Sequence, residues 1–219
     1  MLIVRTYRQF CPAAKALDAI GERWSLLIVR DLLHGPKRYT ELQEGLPGIG
    51  PSVLGARLRE LQEAGVVDRR RLPPPAASVV VYELSESGEA LRPVLAALFH
   101  WGLRFASRPG KNEARKASWW LPAIEASLEP ESLEPGVAET YELRIGGEAI
   151  SVRVEQGKAE VRETEAERPA VVVSTDQETF AALGRGAISP SEALTTDALS
   201  VEGDPAAAER CAQLFGLDG

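Results

Sequence analysis

A chain of 219 residues with 44% hydrophobic and 26% charged side chains has the make-up of ordinary globular domains and room for two of them. No apolar run reaches the ~18 residues of a membrane span, and the N-terminal "MLIVRTYRQFCPAAKALD" has no basic segment ahead of an apolar stretch, so neither a membrane anchor nor a secretory leader is expected. The net charge of −7 is unevenly spread: residues 1–110 carry 15 Lys and Arg against 11 Asp and Glu, the rest 10 against 21, so only the first half is expected to meet a polyanion.

The predicted elements run as follows. Pro12 to about Glu22 reads as a helix, with Ala16, Leu17 and Ile20 on one face. Trp24 to Leu33 is a second helix, stopped by His34-Gly35-Pro36. "TELQEGL" is a short helix, with Thr40 as N-cap and Gln43 completing a capping box. "PGIG" is a tight connection, and Pro51 suits the first turn of the next helix, which runs to Ala64 and stops at Gly65. "VVDRRRL" and "VVVYELS" are two strands joined by the loop "PPPAAS", since proline cannot continue a ladder. "GEALRPVLAALFHWGLRFA" is a last helix, and "ASRPGKN", residues 106–112, is the domain junction. A short helix, a Gly-containing turn, a longer helix and a hairpin make a helix-turn-helix with a wing.

Beyond the junction, "KASWWLPAIEASL" is a helix and "ETYELRIG", "EAISVRVEQ", "KAEVRET" and "AVVVSTD" are strands, with Gly146-Gly147 and Gln156-Gly157 as turns. Helices "QETFAALGRG", "SPSEALT" and "PAAAERCAQLFG" follow, with a short strand "ALSVEG" between the last two. The fold class expected is α+β: residues 1–108 a winged helix-turn-helix domain, residues 113–219 an antiparallel sheet covered by helices.

The helix "PSVLGARLRELQE" decides what the first domain does. At about 100° per residue, Leu54, Leu58 and Leu61 share the core side, and Ser52, Gly55, Ala56 and Arg59 cluster opposite, with Gln62 and Glu63 a turn further on. Small side chains let a rigid surface approach, and Arg59 offers a planar donor fork for phosphate or a guanine edge. The second helix of a helix-turn-helix enters the major groove by its N-terminal part, so this face is expected on duplex DNA. Arg69, Arg71 and, on the other face of the strand, Arg70 are expected on phosphates, or alternatively as charges protecting an edge strand. Lys37, Arg38 and Thr40 flank the short helix as further backbone contacts.

From "CPAAKALDAIGERWSLLIVRDLLHGPKRYTELQEGLPGIGPSVLGARLRELQEAGVVDRR" and "VVYELSESGEAL", residues 8–105 closely resemble the HxlR-type winged-helix transcriptional regulators. The resemblance implies a homodimer on a near-palindromic operator, a winged helix-turn-helix domain for DNA binding and dimerisation, with the first and last helices of the domain pairing the subunits; a repressor is the expectation, with activation left open. Gly50 stands where the family usually has Ser or Thr, and Ser52, Gly55 and Ala56 are shorter than usual, which leaves fewer base contacts. Arg57 matches a common family arginine and lies beside the leucine stripe, where it either braces the fold or reaches a phosphate. Cys11 is expected to be a small packed residue. The resemblance adds a second possibility, an oxidant-sensing thiol activated by Lys15 and the helix N-terminus. Cys211 is expected to be packing.

Residues 113–217 resemble the sterol-carrier-protein-like fold through "FAALGRGAISPSEALTTDALSVEGDPAAAERCAQLF". That implies an apolar cavity for a lipid-like effector, with Trp119, Trp120, Tyr141, Phe180, Leu183, Leu194, Leu199, Leu214 and Phe215 as candidate linings, each of which could equally be plain core. The domain could instead serve dimerisation alone. A regulator of transcription in a reducing cytoplasm is the leading expectation. A lipid carrier whose winged helix makes protein contacts, and a thiol-based regulator using Cys11, are the alternatives. Two distant cysteines and two isolated histidines suggest no metal site. No nucleophile elbow, phosphate loop or metal-binding helix motif appears, so neither an enzyme nor a cofactor is expected.

Overall fold

The computed structural model describes residues 6–75, 78–106 and 110–217. The chain divides into two compact units, Met1–Leu95 and Ala96–Gly219. The expected junction, residues 106–112, has 107–109 outside the described residues, as are 76 and 77 of the expected wing loop. Among the described residues no helix is long and apolar enough to cross a membrane.

The first unit runs α1 (Pro12–Ile20), α2 (Ser25–Leu32), α3 (Tyr39–Gly45), α4 (Pro51–Glu63), β1 (Val67–Arg71), β2 (Val80–Leu84) and α5 (Glu86–Glu89), and α6 (Arg92–Gly102) leads out of it. The helix-turn-helix and wing are present as expected. Leucines and isoleucines from α2, α3 and α4, with Val66, Val67 and Leu95, form one core, where each fully buried Leu or Ile contributes roughly 1.5–3 kcal/mol.

Several boundaries differ from the sequence reading for physical reasons. Trp24 does not open α2; it precedes the helix with φ of 81°, a left-handed conformation that bulky residues rarely adopt. The cap of α3 is not Thr40 with Gln43. The helix starts one residue earlier, and Glu41 Oε2 accepts the Arg38 backbone N–H at 2.6 Å. The expected single helix after the wing is broken into α5 and α6. Ser85 Oγ caps α5 by accepting the Gly88 N–H at 3.1 Å, and Pro93 cannot continue a helix from behind but fits the first turn of a new one. Gly88 is required there, because a Cβ would overlap the Val66 carbonyl oxygen. The hairpin gains a third edge: Lys37 and Tyr82 exchange both backbone hydrogen bonds, at 2.9 and 2.8 Å.

Two further contacts set the angle of the helix-turn-helix. Tyr39 Oη donates to the Pro51 carbonyl at 2.7 Å and so ties α3 to the first turn of α4. A Cβ on Gly45 would lie 2.5 Å from Asp31 Oδ2, so glycine lets α3 close on the buried Arg30–Asp31 pair of α2, joined Nε to Oδ1 at 2.8 Å.

The second unit contains a 3₁₀ turn (Ala117–Trp120) leading into α7 (Leu121–Ser127), then β3 (Ala138–Ile145), β4 (Glu148–Glu155), β5 (Lys158–Arg162), β6 (Val171–Thr175), α8 (Gln177–Gly184), α9 (Pro190–Thr195), β7 (Leu199–Gly203) and α10 (Pro205–Leu214). The sheet order is β5-β4-β3-β6-β7. Its pairs are antiparallel except β3–β6, which is parallel. Both expected hairpin turns hold: Gly146 and Gly147 have φ of 64° and 90°, Gln156 and Gly157 of 53° and 70°, the double positive φ that tight hairpins need. One sheet face, with Tyr141, Leu143, Ile145, Ile150 and Val152, is buried against α7 and α10. On the other face Glu142 is buried yet satisfied, accepting from Arg144 Nε and the Ala166 N–H, both at 2.7 Å.

Candidate nucleic-acid interface and effector site

The amphipathic stripe of α4 points as its periodicity requires. Leu54, Leu58 and Leu61 are buried, Ser52 and Arg59 are exposed, and Gly55 and Ala56 are partly exposed between them. Arg59 is not paired with any described carboxylate, and its Nη1 lies 3.8 Å from where a Cβ on Gly55 would stand. Arg57 is in a different position. It bonds Glu60 on its own helix and lies 3.6 Å from Glu22 Oε2, so its guanidinium braces α4 against the end of α1.

On the wing, Arg69 pairs in register with Tyr82, Arg70 with Val81 and Arg71 with Val80. With the Lys37–Tyr82 bridge, this sets Lys37, Tyr82 and Arg69 in one row on one face of the small sheet, and Arg71 shares that face. Arg70, on the opposite face, is bonded through Nε to Glu83 Oε1, which also raises its pKa. Arg38 and Thr40 are exposed at the start of α3. Sequence reasoning missed Tyr39 and Tyr82, the two tyrosines that position these charges; the only local signal was an aromatic within each of "KRYTEL" and "VVYELS".

His34, at the end of α2, is largely buried. Burial first, then the nearby charges of Arg92 and Lys37, lower its pKa to about 4, so it is neutral near pH 7.

In the second unit the candidate linings separate by depth. Tyr141, Leu199 and Leu214 are buried, and Tyr141 and Leu214 belong to the main core. Trp120, Phe180 and Phe215 pack against that core and are partly exposed, with the Trp120 and Phe180 rings edge-on at 5.3 Å. Trp119 and Leu183 are also partly exposed. Leu194 faces outward, and Ala193 takes the buried position on α9. The Tyr141 hydroxyl donates to Glu139 Oε2 at 2.8 Å, and burial raises its pKa. Arg210 Nε bonds the same carboxylate at 3.1 Å.

Residues 19–109 match the HxlR-like helix-turn-helix family, and residues 121–216 match the SCP-2 sterol transfer family. Over 94 residues the chain is 38% identical to the uncharacterized HTH-type transcriptional regulator YvaP of Bacillus subtilis, covering 42% of this chain and 86% of the relative. Over 101 residues it is 38% identical to the HTH-type transcriptional regulator YodB of the same organism, covering 46% and 88%. The chain belongs to the HxlR-like helix-turn-helix family. Among solved structures, the reduced form of YodB aligns at 35% identity with a TM-score of 0.40, over 47% of this chain and 100% of that one.

As an HxlR-like protein the chain is a transcriptional regulator, and its second half is an SCP-2 domain. In the first unit, Cys11 is exposed at the N-cap of α1, which corrects the expectation of a packed residue: Ala14 and Ile20 take the buried positions of that helix. Lys15, one turn on, places its ammonium 3.7 Å from Asp18. Cys211 is buried as expected, and burial pushes its thiol up to about 12.

Proposed function

We propose that this regulator is a repressor that binds duplex DNA as a homodimer on a near-palindromic operator, and that its SCP-2 domain takes a small apolar effector. The observation that carries the DNA reading is the outward face of α4: Ser52, Gly55, Ala56 and Arg59 are backed by three buried leucines. Small residues admit the groove floor, and Arg59 supplies base-edge donors. Lys37, Arg38, Thr40, Arg69 and Arg71 flank that face as backbone contacts, and phosphate neutralisation supplies most of the sequence-independent affinity.

Pairing of two copies is supported by α6. Val94, Leu98 and Trp101 are 49%, 41% and 55% exposed at spacings that keep them on one helical face, and Phe105, just beyond the helix, is 69% exposed with its ring 4.9 Å from that of Trp101. An apolar stripe of that length is costly in water and suits a second copy of itself. The effector reading rests on the partly exposed aromatics Trp119, Trp120, Phe180 and Phe215 over a sheet core. An effector that prefers one arrangement of the dimer shifts DNA affinity by its differential binding.

The test is binding to duplexes drawn from a random pool, at rising salt, with mass in solution measured alongside. A dimer whose affinity for selected duplexes falls with salt is the expected result. A monomer, or no binding at low salt, would overturn the reading. For the effector, native mass spectrometry after mild purification should show a bound apolar molecule, and a protein that stays empty against a lipid panel would count against it.

A further inference from the structure

The corner between α1 and α2 carries a positive charge that neither α4 nor the wing uses. Arg23 is exposed, and among the described residues it forms no ion pair. Its guanidinium carbon stands 5.4 Å from the Trp24 ring centroid, within the distance at which a cation and an aromatic face attract. Stacking of this kind holds the planar five-donor group at the surface in a restricted orientation.

Trp24 is itself fixed. It sits in the left-handed region at φ 81°, and its ring packs against the core of the first unit. The far edge of that ring faces the turn that leads into α4: a Cβ on Gly48 would lie 3.9 Å from Trp24 Cη2. Gly48 is two residues before Gly50, the N-cap of α4. Through the Trp24 ring the guanidinium is thus linked to the turn that precedes α4. The neighbouring Glu22 carboxylate lies 3.6 Å from Arg57 Nη1, which also holds Glu60.

We propose that Arg23, stacked on Trp24 beside the α3–α4 turn, is a phosphate-backbone contact on DNA in addition to those of α4 and the wing. The inference rests on the DNA-binding reading above. A guanidinium fork matches phosphate oxygens, and a backbone contact positions the protein without reading sequence. The signature is therefore an equal weakening on every duplex.

The experiment is fluorescence anisotropy with the full chain over a series of salt concentrations, on a duplex selected from a random pool and on an unrelated duplex of equal length. Arg23→Gln should weaken both several-fold by the same factor. It should flatten the plot of log affinity against log salt by about 1.8, twice the increment of about 0.9 for one phosphate, because each dimer loses two such contacts, while Arg23→Lys keeps the slope. An Arg23→Gln slope equal to that of the wild type, or a weakening confined to the selected duplex, would overturn the proposal. Arg71→Gln on the wing keeps the two failures apart. If it flattens the slope and Arg23→Gln does not, the DNA reading stands and the role of Arg23 falls; if the wild-type protein binds neither duplex, both fall.

Discussion

The guanidinium of Arg59 lies back over Gly55, with Nη1 3.8 Å from the position a Cβ would occupy. That separation is ordinary van der Waals contact, so an alanine fits and anything longer competes with the arginine for the same space. Gly55→Ala should therefore stabilise the fold by up to about 1 kcal/mol, the helix preference of alanine over glycine, and leave discrimination among duplexes intact. Gly55→Leu should displace Arg59 and reduce discrimination toward that of Arg59→Ala, a loss of about 1–3 kcal/mol for each base pair read. Denaturant melts and competition binding with selected and unrelated duplexes check both; equal discrimination in wild type and Arg59→Ala would remove the arginine from the readout.

Gly88 tests how the wing is fastened to the helices. A Cβ there would overlap the Val66 carbonyl oxygen and lie 3.1 Å from Leu84 Cβ, and Ser85 Oγ both accepts the Gly88 N–H and donates to the Gly65 carbonyl at 2.6 Å. Neither the backbone at Val66 nor Leu84 can withdraw without opening the hairpin. Gly88→Ala should cost about 1–3 kcal/mol, as overpacking does, read as a lowered urea midpoint at unchanged slope. A midpoint equal to that of the wild type would show that the α5 corner yields.

These contacts also mark the limit of what the sequence alone reveals. The leucine stripe of α4 is legible because its period belongs to one helix, and the Gly-Gly and Gln-Gly hairpins are legible because few residues tolerate positive φ. The left-handed Trp24 has no such signal, since its conformation is imposed by packing around it. Arg57 meets Glu22, Lys37 meets Tyr82 and Arg70 meets Glu83 only after the chain has folded back, so spacing could not separate a brace from a phosphate ligand. The parallel β3–β6 pair is of the same kind: each strand shows its alternation, but its neighbour is chosen by tertiary packing.

His34 should make stability pH-dependent in a defined window. Folded, it titrates at about 4; in an unfolded chain it titrates at about 6.5. Between these values the unfolded chain binds a proton that the native state refuses, so stability falls as pH drops from about 6.5 toward about 4 and is fully present above that window. Urea midpoints at pH 7 and pH 5 should differ more for wild type than for His34→Gln. The carboxylates held below their usual range, such as Asp18 and Glu139, act at lower pH and in both proteins, so they cancel in the comparison. An equal pH response in the two proteins would place the acid sensitivity elsewhere.

Leu95 and Leu98 lie one turn apart on α6 with opposite surroundings, and this contrast separates folding from pairing. Leu95 is 3% exposed and belongs to the core of the first unit, whereas Leu98 is on the exposed stripe with Val94 and Trp101. Leu95→Ala should cost about 2–5 kcal/mol of stability, as deletion of a core leucine does. Leu98→Glu should leave the folded structure unchanged by circular dichroism, because the new charge stays in water. If a second copy covers the stripe, the same charge must be buried unpaired in the dimer, which is strongly unfavourable. Leu98→Glu should therefore halve the mass measured by light scattering and weaken binding to a palindromic duplex far more than to a single half-site. A variant that remains a dimer would assign the pairing surface to other residues, with the exposed Tyr7, Phe10 and Leu17 the next to be changed.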